Sequence, residues 1–247
     1  MKSMLEFSSL LSTPRFSFIC SGVAAMLNLH NLSCHLKDKP LLSNITVQAS
    51  PGSFVGLIGE NGAGKTTLLR TFTGLLQPSQ GRSMLNNQCL LSLPAHRRPS
   101  TFSYFSMENT EIWHLPVHEI LSLFNLDKHN PIATALDISI LIHQSFHTLS
   151  SGQKQRVILA LHLAKDLPLY VLDEPLNSLD HRHQHQVMRL LKQKADQGKI
   201  VLASCHQLDL VQQYCADVWL LDKGTLAHHG PTNQILRPAI LKHHFGI

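Results

Sequence analysis

One stretch, Gly59-Glu60-Asn61-Gly62-Ala63-Gly64-Lys65-Thr66, constrains what this chain can fold into more than any other. It has the full G-x-x-x-x-G-K-[ST] spacing of a phosphate-binding loop. A short apolar run, Phe54 to Ile58, precedes it, and Thr66 to Leu76 follows with helical spacing. Each residue type has a physical reason. Glycines let the backbone wrap phosphate oxygens with no side chain in the way. The loop N–H groups and the following helix N-terminus point at negative charge. Lys65 is placed to neutralise β- and γ-phosphates, and Thr66 to offer its hydroxyl to Mg²⁺. The expected nucleotide contacts are therefore Gly59, Asn61, Gly62, Ala63, Gly64, Lys65, Thr66 and Thr67.

The rest of the chain alternates strand and helix patterns. Leu27 to Leu32 and Ile45 to Val47 read as strands, Leu169 to Leu172, Lys199 to Ala203 and Val218 to Leu221 as buried ones. Helical patterns cover Val117 to Phe124, Ser151 to Ala164, Gln184 to Ala195 and Leu208 to Tyr214. Such alternation implies a largely parallel sheet wrapped by helices. The 247 residues suffice for a full core, and 43% hydrophobic content is ordinary for a globular chain. A net charge of +5 suits phosphate ligands but gives no long basic run for nucleic acid. Five cysteines, Cys20, Cys34, Cys89, Cys205 and Cys215, lack metal-ligand spacing, which favours a reduced, cytosolic setting over a disulfide framework. No apolar stretch reaches the ~18–20 residues that cross a bilayer. Residues 1–26 read as an N-terminal extension, disordered or preceding a working start at Met26. The rival reading is a short signal-peptide core over Phe16 to Ala25.

Leu169-Tyr170-Val171-Leu172-Asp173-Glu174 puts two acids at the C-terminal end of a buried strand. Ligands of open α/β sheets bind at that edge. Asp173 is placed to hold Mg²⁺ through its water shell, and Glu174 to orient or deprotonate an attacking water.

Between the loop and the acids lies Leu149-Ser150-Ser151-Gly152-Gln153, followed by Lys154-Gln155-Arg156. In this order the motifs resemble those of ATP-binding cassette (ABC) ATPases. Ser178-Leu179-Asp180 resembles that family's D-loop, and His206 in Ser204-Cys205-His206 its switch histidine. The likeness runs from about Leu27 to the C-terminus. It implies a P-loop NTPase of the ABC nucleotide-binding type over residues 27–247. That α/β fold has a mostly parallel core sheet, an antiparallel β subdomain and an inserted helical subdomain at about 107–165. It implies ATP and Mg²⁺ as ligands, with Thr66 and Asp173 on the metal and Lys65, Glu174 and His206 as the catalytic set. Ser150, Ser151, Gly152 and Gln153 would close over ATP held by a second copy, in a head-to-tail homodimer. Two such subunits would drive a separate membrane permease, with a substrate-binding protein delivering cargo, at the cytoplasmic face of the cell membrane.

Three positions depart from the family pattern. Ser151 stands where a glycine is usual. Met107 falls where a glutamine normally contacts Mg²⁺, and a thioether is a poor ligand for it; Glu108 is the neighbouring candidate. Leu36, beside His35, falls where an aromatic usually stacks on adenine, so stacking is expected to be weakened or taken over by His35. Leu115 to Leu121, Leu172 to Asp180 and the tail from Asn233 to Gly246 resemble the iron-siderophore, haem and cobalamin importer ATPases. The alternatives are an exporter ATPase and a degenerate cassette acting as an interaction subunit. Among the 17 histidines, His181, His183 and His185 read as solvated helix surface, with a metal site as the rival. His228, His229, His243 and His244 read as exposed tail.

Overall fold

The computed structural model describes residues 26–37, 39–107 and 114–246. The expectations for residues 1–25 and for Glu108 fall outside them. The elements in chain order are β1 (Leu27–Leu36), β2 (Lys39–Ala49), β3 (Phe54–Ile58), α1 (Lys65–Phe72), β4 (Gln80–Leu85), β5 (Gln88–Cys89) and β6 (Phe102–Phe105). Next come α2 (Val117–Leu123), α3 (Pro131–Ala135), α4 (Ser151–Leu163), β7 (Leu169–Leu172), α5 (His181–Asp196), β8 (Ile200–Ser204) and α6 (Leu208–Tyr214). The chain ends with β9 (Asp217–Asp222), β10 (Thr225–Pro231), α7 (Thr232–Ile235) and α8 (Pro238–Phe245).

The strands form two sheets. One is antiparallel in the order β2-β1-β4-β5; the other runs β10-β9-β3-β8-β7-β6 and is parallel except for β10. The strands at the heart of the second sheet are apolar on both faces, as helix-covered parallel strands must be. Their side chains divide with period two between two cores. Phe54 and Ile58 of β3, Tyr170 and Leu172 of β7 and Val201 and Ala203 of β8 pack with α4, α5 and α6. Val55, Leu57, Leu169, Val171, Ile200 and Leu202 pack on the other face with α1 and the antiparallel sheet. This is the α/β architecture with a separate antiparallel sheet that the motifs implied. Because β3, β7 and β8 run parallel, their C-terminal ends emerge together at one edge.

The structure corrects two local readings and adds a strand that the sequence reading did not assign. The helix after the phosphate loop ends at Phe72, where Thr73 bonds back to Leu69 O and Gly74 takes a left-handed φ of 73°. Residues Phe102–Phe105 form a strand of the parallel sheet. His228 and His229 lie in β10, paired to Leu220 and Trp219, rather than in a tail. His244 is also held, with 10% of its side chain exposed and Nδ1 3.5 Å from Asp222 Oδ2.

One buried histidine makes stability depend on pH. His162 of α4 places Nδ1 2.7 Å from Ser103 Oγ, with its ring edge-on to Phe105. Burial, aided by the Lys165 charge, lowers its pKa from 6.5 to about 4. The folded chain therefore stays neutral there while the unfolded chain takes up a proton. The stabilisation is complete above pH 6.5 and is lost progressively as pH falls towards 4, by ~3 kcal/mol. Thermal unfolding at pH 7 and pH 4.5 should show a smaller Tm drop in His162→Gln than in the parent. Equal drops would rule the linkage out.

Candidate functional site

The loop after β3 is built by its glycines and its lysine. A Cβ on Gly59 would lie 2.4 Å from Leu221 O, and its φ of 151° lies in the glycine region, so no other residue fits. Lys65 is 6% exposed, and its ammonium donates to Gly59 O at 2.8 Å and Glu60 O at 3.0 Å. Burial lowers its pKa, against the opposing pull of Glu174 and Asp173. Helix α1 begins with Gly64 as N-cap and no side-chain cap, so its first-turn N–H groups face the loop without a side-chain acceptor. Glu60, Asn61 and Gly62 are exposed, whereas Ala63 is buried. Beside the loop opens a cavity of about 510 Å³, lined by Gly59, Glu60, Asn61, His206 and Phe245 among others.

The two acids sit at the end of β7, in register with β6, whose Phe105 carbonyl accepts from Asp173 N–H at 2.8 Å. Asp173 is 6% exposed. Burial raises its pKa, and hydrogen bonds from Thr66 and Ser204 only partly offset that. Ser204, the last residue of β8, donates its hydroxyl to Asp173 Oδ1 at 2.8 Å and accepts Glu174 N–H at 2.8 Å. Glu174 adopts a left-handed φ of 50°, a conformation that costs a non-glycine about 1 kcal/mol or more. His206 Nε2 lies 2.9 Å from Glu174 Oε1, and Asn177 Nδ2 donates to Oε2. Burial raises the Glu174 pKa, but the His206 and Asn177 hydrogen bonds and the His206 and Lys65 charges outweigh it, leaving it below the ordinary value. Glu174 is therefore an acceptor-only carboxylate near neutral pH, and His206 must carry its proton on Nε2 to bond it.

Lys65, Thr66, Asp173, Glu174 and His206 thus converge at one sheet edge. The other expected contacts lie on a different element. Ser150 is the N-cap of α4, in a reciprocal capping box: Gln153 N–H donates to Ser150 Oγ at 3.3 Å and Ser150 N–H to Gln153 Oε1 at 2.9 Å. Ser151 is exposed at the first helical position. Gly152 packs against the segment leading into α5, where a Cβ would stand 2.5 Å from Ser178 O. The Met107 side chain packs on the helix-side core. Leu36 is 62% exposed, and His35 Nδ1 lies 2.7 Å from Ser79 Oγ. The residues that motif reading passed over are Ser204 and Asn177, which hold the two acids. Ser204 was visible only as the neighbour of His206; Asn177 stood inside the Leu172–Asp180 run.

Comparison with known proteins agrees with this geometry. The ABC transporter family profile matches residues 42–177. The hemin import ATP-binding protein HmuV of Pseudomonas fluorescens (strain Pf0-1) is 32% identical over 237 residues, covering 90% of this chain and 93% of the relative. The vitamin B12 import ATP-binding protein BtuD of Citrobacter koseri is 32% identical over 218 residues, covering 83% and 87%. A solved ATP-binding subunit of an ABC transporter superposes with a TM-score of 0.77 at 26% identity, covering 90% of this chain and 93% of that one. Among the described residues no helix is long and apolar enough to cross a membrane. A phosphate loop and a carboxylate pair brought to one sheet edge, with relatives matched along nearly the whole length, place this chain in the ABC transporter family as an ATP-hydrolysing subunit.

Proposed function

We propose that two copies of this chain, arranged head to tail, hydrolyse ATP on the cytoplasmic face of the cell membrane. In doing so they drive a separate permease that imports haem- or cobalamin-class cargo received from a substrate-binding protein. The observation that carries the catalytic part is the depressed, hydrogen-bonded Glu174 carboxylate beside the Lys65 loop. The names of the relatives support the cargo class and the direction.

The residues fit the expected ligands. The loop N–H groups, the uncapped start of α1 and the Lys65 ammonium form a cradle for the β- and γ-phosphates of ATP. Thr66 and Asp173, hydrogen-bonded to one another, offer the hard oxygen donors that Mg²⁺ takes. Bound there, Mg²⁺ would neutralise charge on the phosphate oxygens. Glu174 accepts the proton of the attacking water. His206, with Nε2–H on Glu174, fixes the carboxylate's direction. Ser204 keeps the two acids in register: its one hydroxyl donates to Asp173 and accepts from the Glu174 backbone. In the dimer, Ser150, Ser151, Gly152 and Gln153 would add an N-terminal donor cluster to the nucleotide of the other copy.

A second reading, a cassette that binds ATP without efficient turnover, is favoured by Met107, whose thioether packs on the core. One experiment separates the two. The chain is reconstituted in vesicles with its cognate permease and binding protein, and phosphate release is measured with haem, cobalamin or a ferric siderophore. Release stimulated by haem or cobalamin is expected. Stimulation by neither haem nor cobalamin, with or without a response to the siderophore, overturns the cargo assignment, and no release at all overturns the catalytic one.

A further inference from the structure

Arg156, on the second turn of α4, is 7% exposed and donates from Nη1 to Leu136 O at 2.8 Å, at the end of α3. The same nitrogen lies 3.0 Å from His183 Nε2. His183, on the first turn of α5, has only 12% of its side chain exposed. Its Nδ1 lies 2.7 Å from Asp180 Oδ2, and its Nε2 lies 3.3 Å from Asp137 Oδ2, which Arg182 Nη2 also reaches at 3.1 Å. Arginine only donates, so the Arg156 contact assigns the proton of the neutral ring to Nδ1, which donates to Asp180, whereas in the protonated ring Nε2–H faces Asp137 instead. The ring is a two-ended connector. One end holds the carboxylate that closes the Ser178-Leu179-Asp180 segment; the other holds the helix that begins with Ser150, Ser151 and Gly152. The expectation of solvated helix surface is therefore wrong for His183.

We propose that His183 is a positioning residue for the nucleotide site of the other copy. It binds three pieces of one chain, the start of α4, the Ser178–Asp180 segment and the end of α3, into a single rigid unit. This rests on the head-to-tail reading. In that arrangement the Gly152 region faces the partner's ATP, and the Ser178–Asp180 segment packed against it fixes how that region is placed. Gly152 already touches Ser178 O from one side; the Arg156–His183–Asp180 chain ties the same two pieces from the other. The cap of α5 does not depend on the ring, because Asp180 Oδ1 also accepts the His183 backbone N–H at 2.9 Å. Side-chain replacement therefore spares the start of the helix.

The test is the ATP-dependent dimer of Glu174→Gln, followed by light scattering as protein is diluted, in that parent and with His183→Ala, His183→Asn or His183→Gln added. Asn keeps a donor for Asp180 but does not reach Arg156; Gln reaches Arg156 but loses the Asp180 bond. All three should raise the dimer dissociation constant about tenfold, the cost of ordering the loosened segments again on association. Binding of a fluorescent ATP analogue to the dilute monomer should stay unchanged, because Lys65 and its loop belong to other elements. If the Ala variant unfolds, the two amides carry the test. Any folded variant that dimerises as tightly as its parent overturns the role of His183. A Glu174→Gln parent that stays monomeric in ATP overturns instead the head-to-tail reading beneath it.

Discussion

Glu174→Gln should lower phosphate release by roughly 100- to 10,000-fold, the range for removing a general base. ATP should remain bound and hold two chains together. The amide is nearly isosteric with the carboxylate, so the Asn177 contact, the Ser204 bond to the 174 backbone N–H and the left-handed turn can all persist. What disappears is the charge that His206 and Asn177 stabilise and the capacity to take a proton. Nucleotide binding depends on the Lys65 cradle, which is untouched. Single-turnover phosphate release and light scattering in ATP read the two halves separately. Turnover at the parental rate would show that another group activates the water.

Gly152→Ala should have the next largest effect. The added methyl would stand 2.5 Å from Ser178 O, a distance no real Cβ tolerates, and the obstacle is backbone rather than a yielding side chain. Either the start of α4 or the segment before α5 must move, by an amount on the scale at which misplaced reacting groups lose ~100-fold in rate. Phosphate release should therefore fall about 100-fold while nucleotide binding to the monomer is unchanged. Ser151→Gly next door should stay within about twofold, because glycine keeps the backbone N–H that this position would offer to the partner's phosphate. A Gly152→Ala protein with full turnover would remove the need for the close Gly152–Ser178 approach.

Fold and site were legible in the sequence to different degrees, for physical reasons. The buried parallel strands announce themselves: Phe54 to Ile58 and Leu169 to Leu172 are unbroken apolar runs because both faces are covered. The phosphate loop and the acids after β7 are legible because their chemistry demands fixed residue types at fixed spacing. Strand β10 was not, since as an edge strand it pairs on one side only and carries His228, His229 and Gly230 in place of an apolar pattern. Strand β6 was hidden in polar flanks, with only four residues to show. The roles of Ser204 and His183 were not legible for another reason. Each acts through partners dozens of residues away, Asp173 for one and Arg156 for the other, and no local spacing records such a pairing.

The reciprocal bonds between Ser150 and Gln153 have an implication for how quickly two copies can let go. In the proposed dimer, the Ser150 and Gln153 N–H groups that would meet a neighbour's phosphate are already taken by side-chain oxygens of the same turn. An incoming anion would have to displace an internal acceptor, and a departing one would find that acceptor ready to return. Grip becomes an exchange of near-equivalent partners. Exchanges of that kind leave little net energy to be undone at each stroke, which is what a motor that must open after every cycle requires.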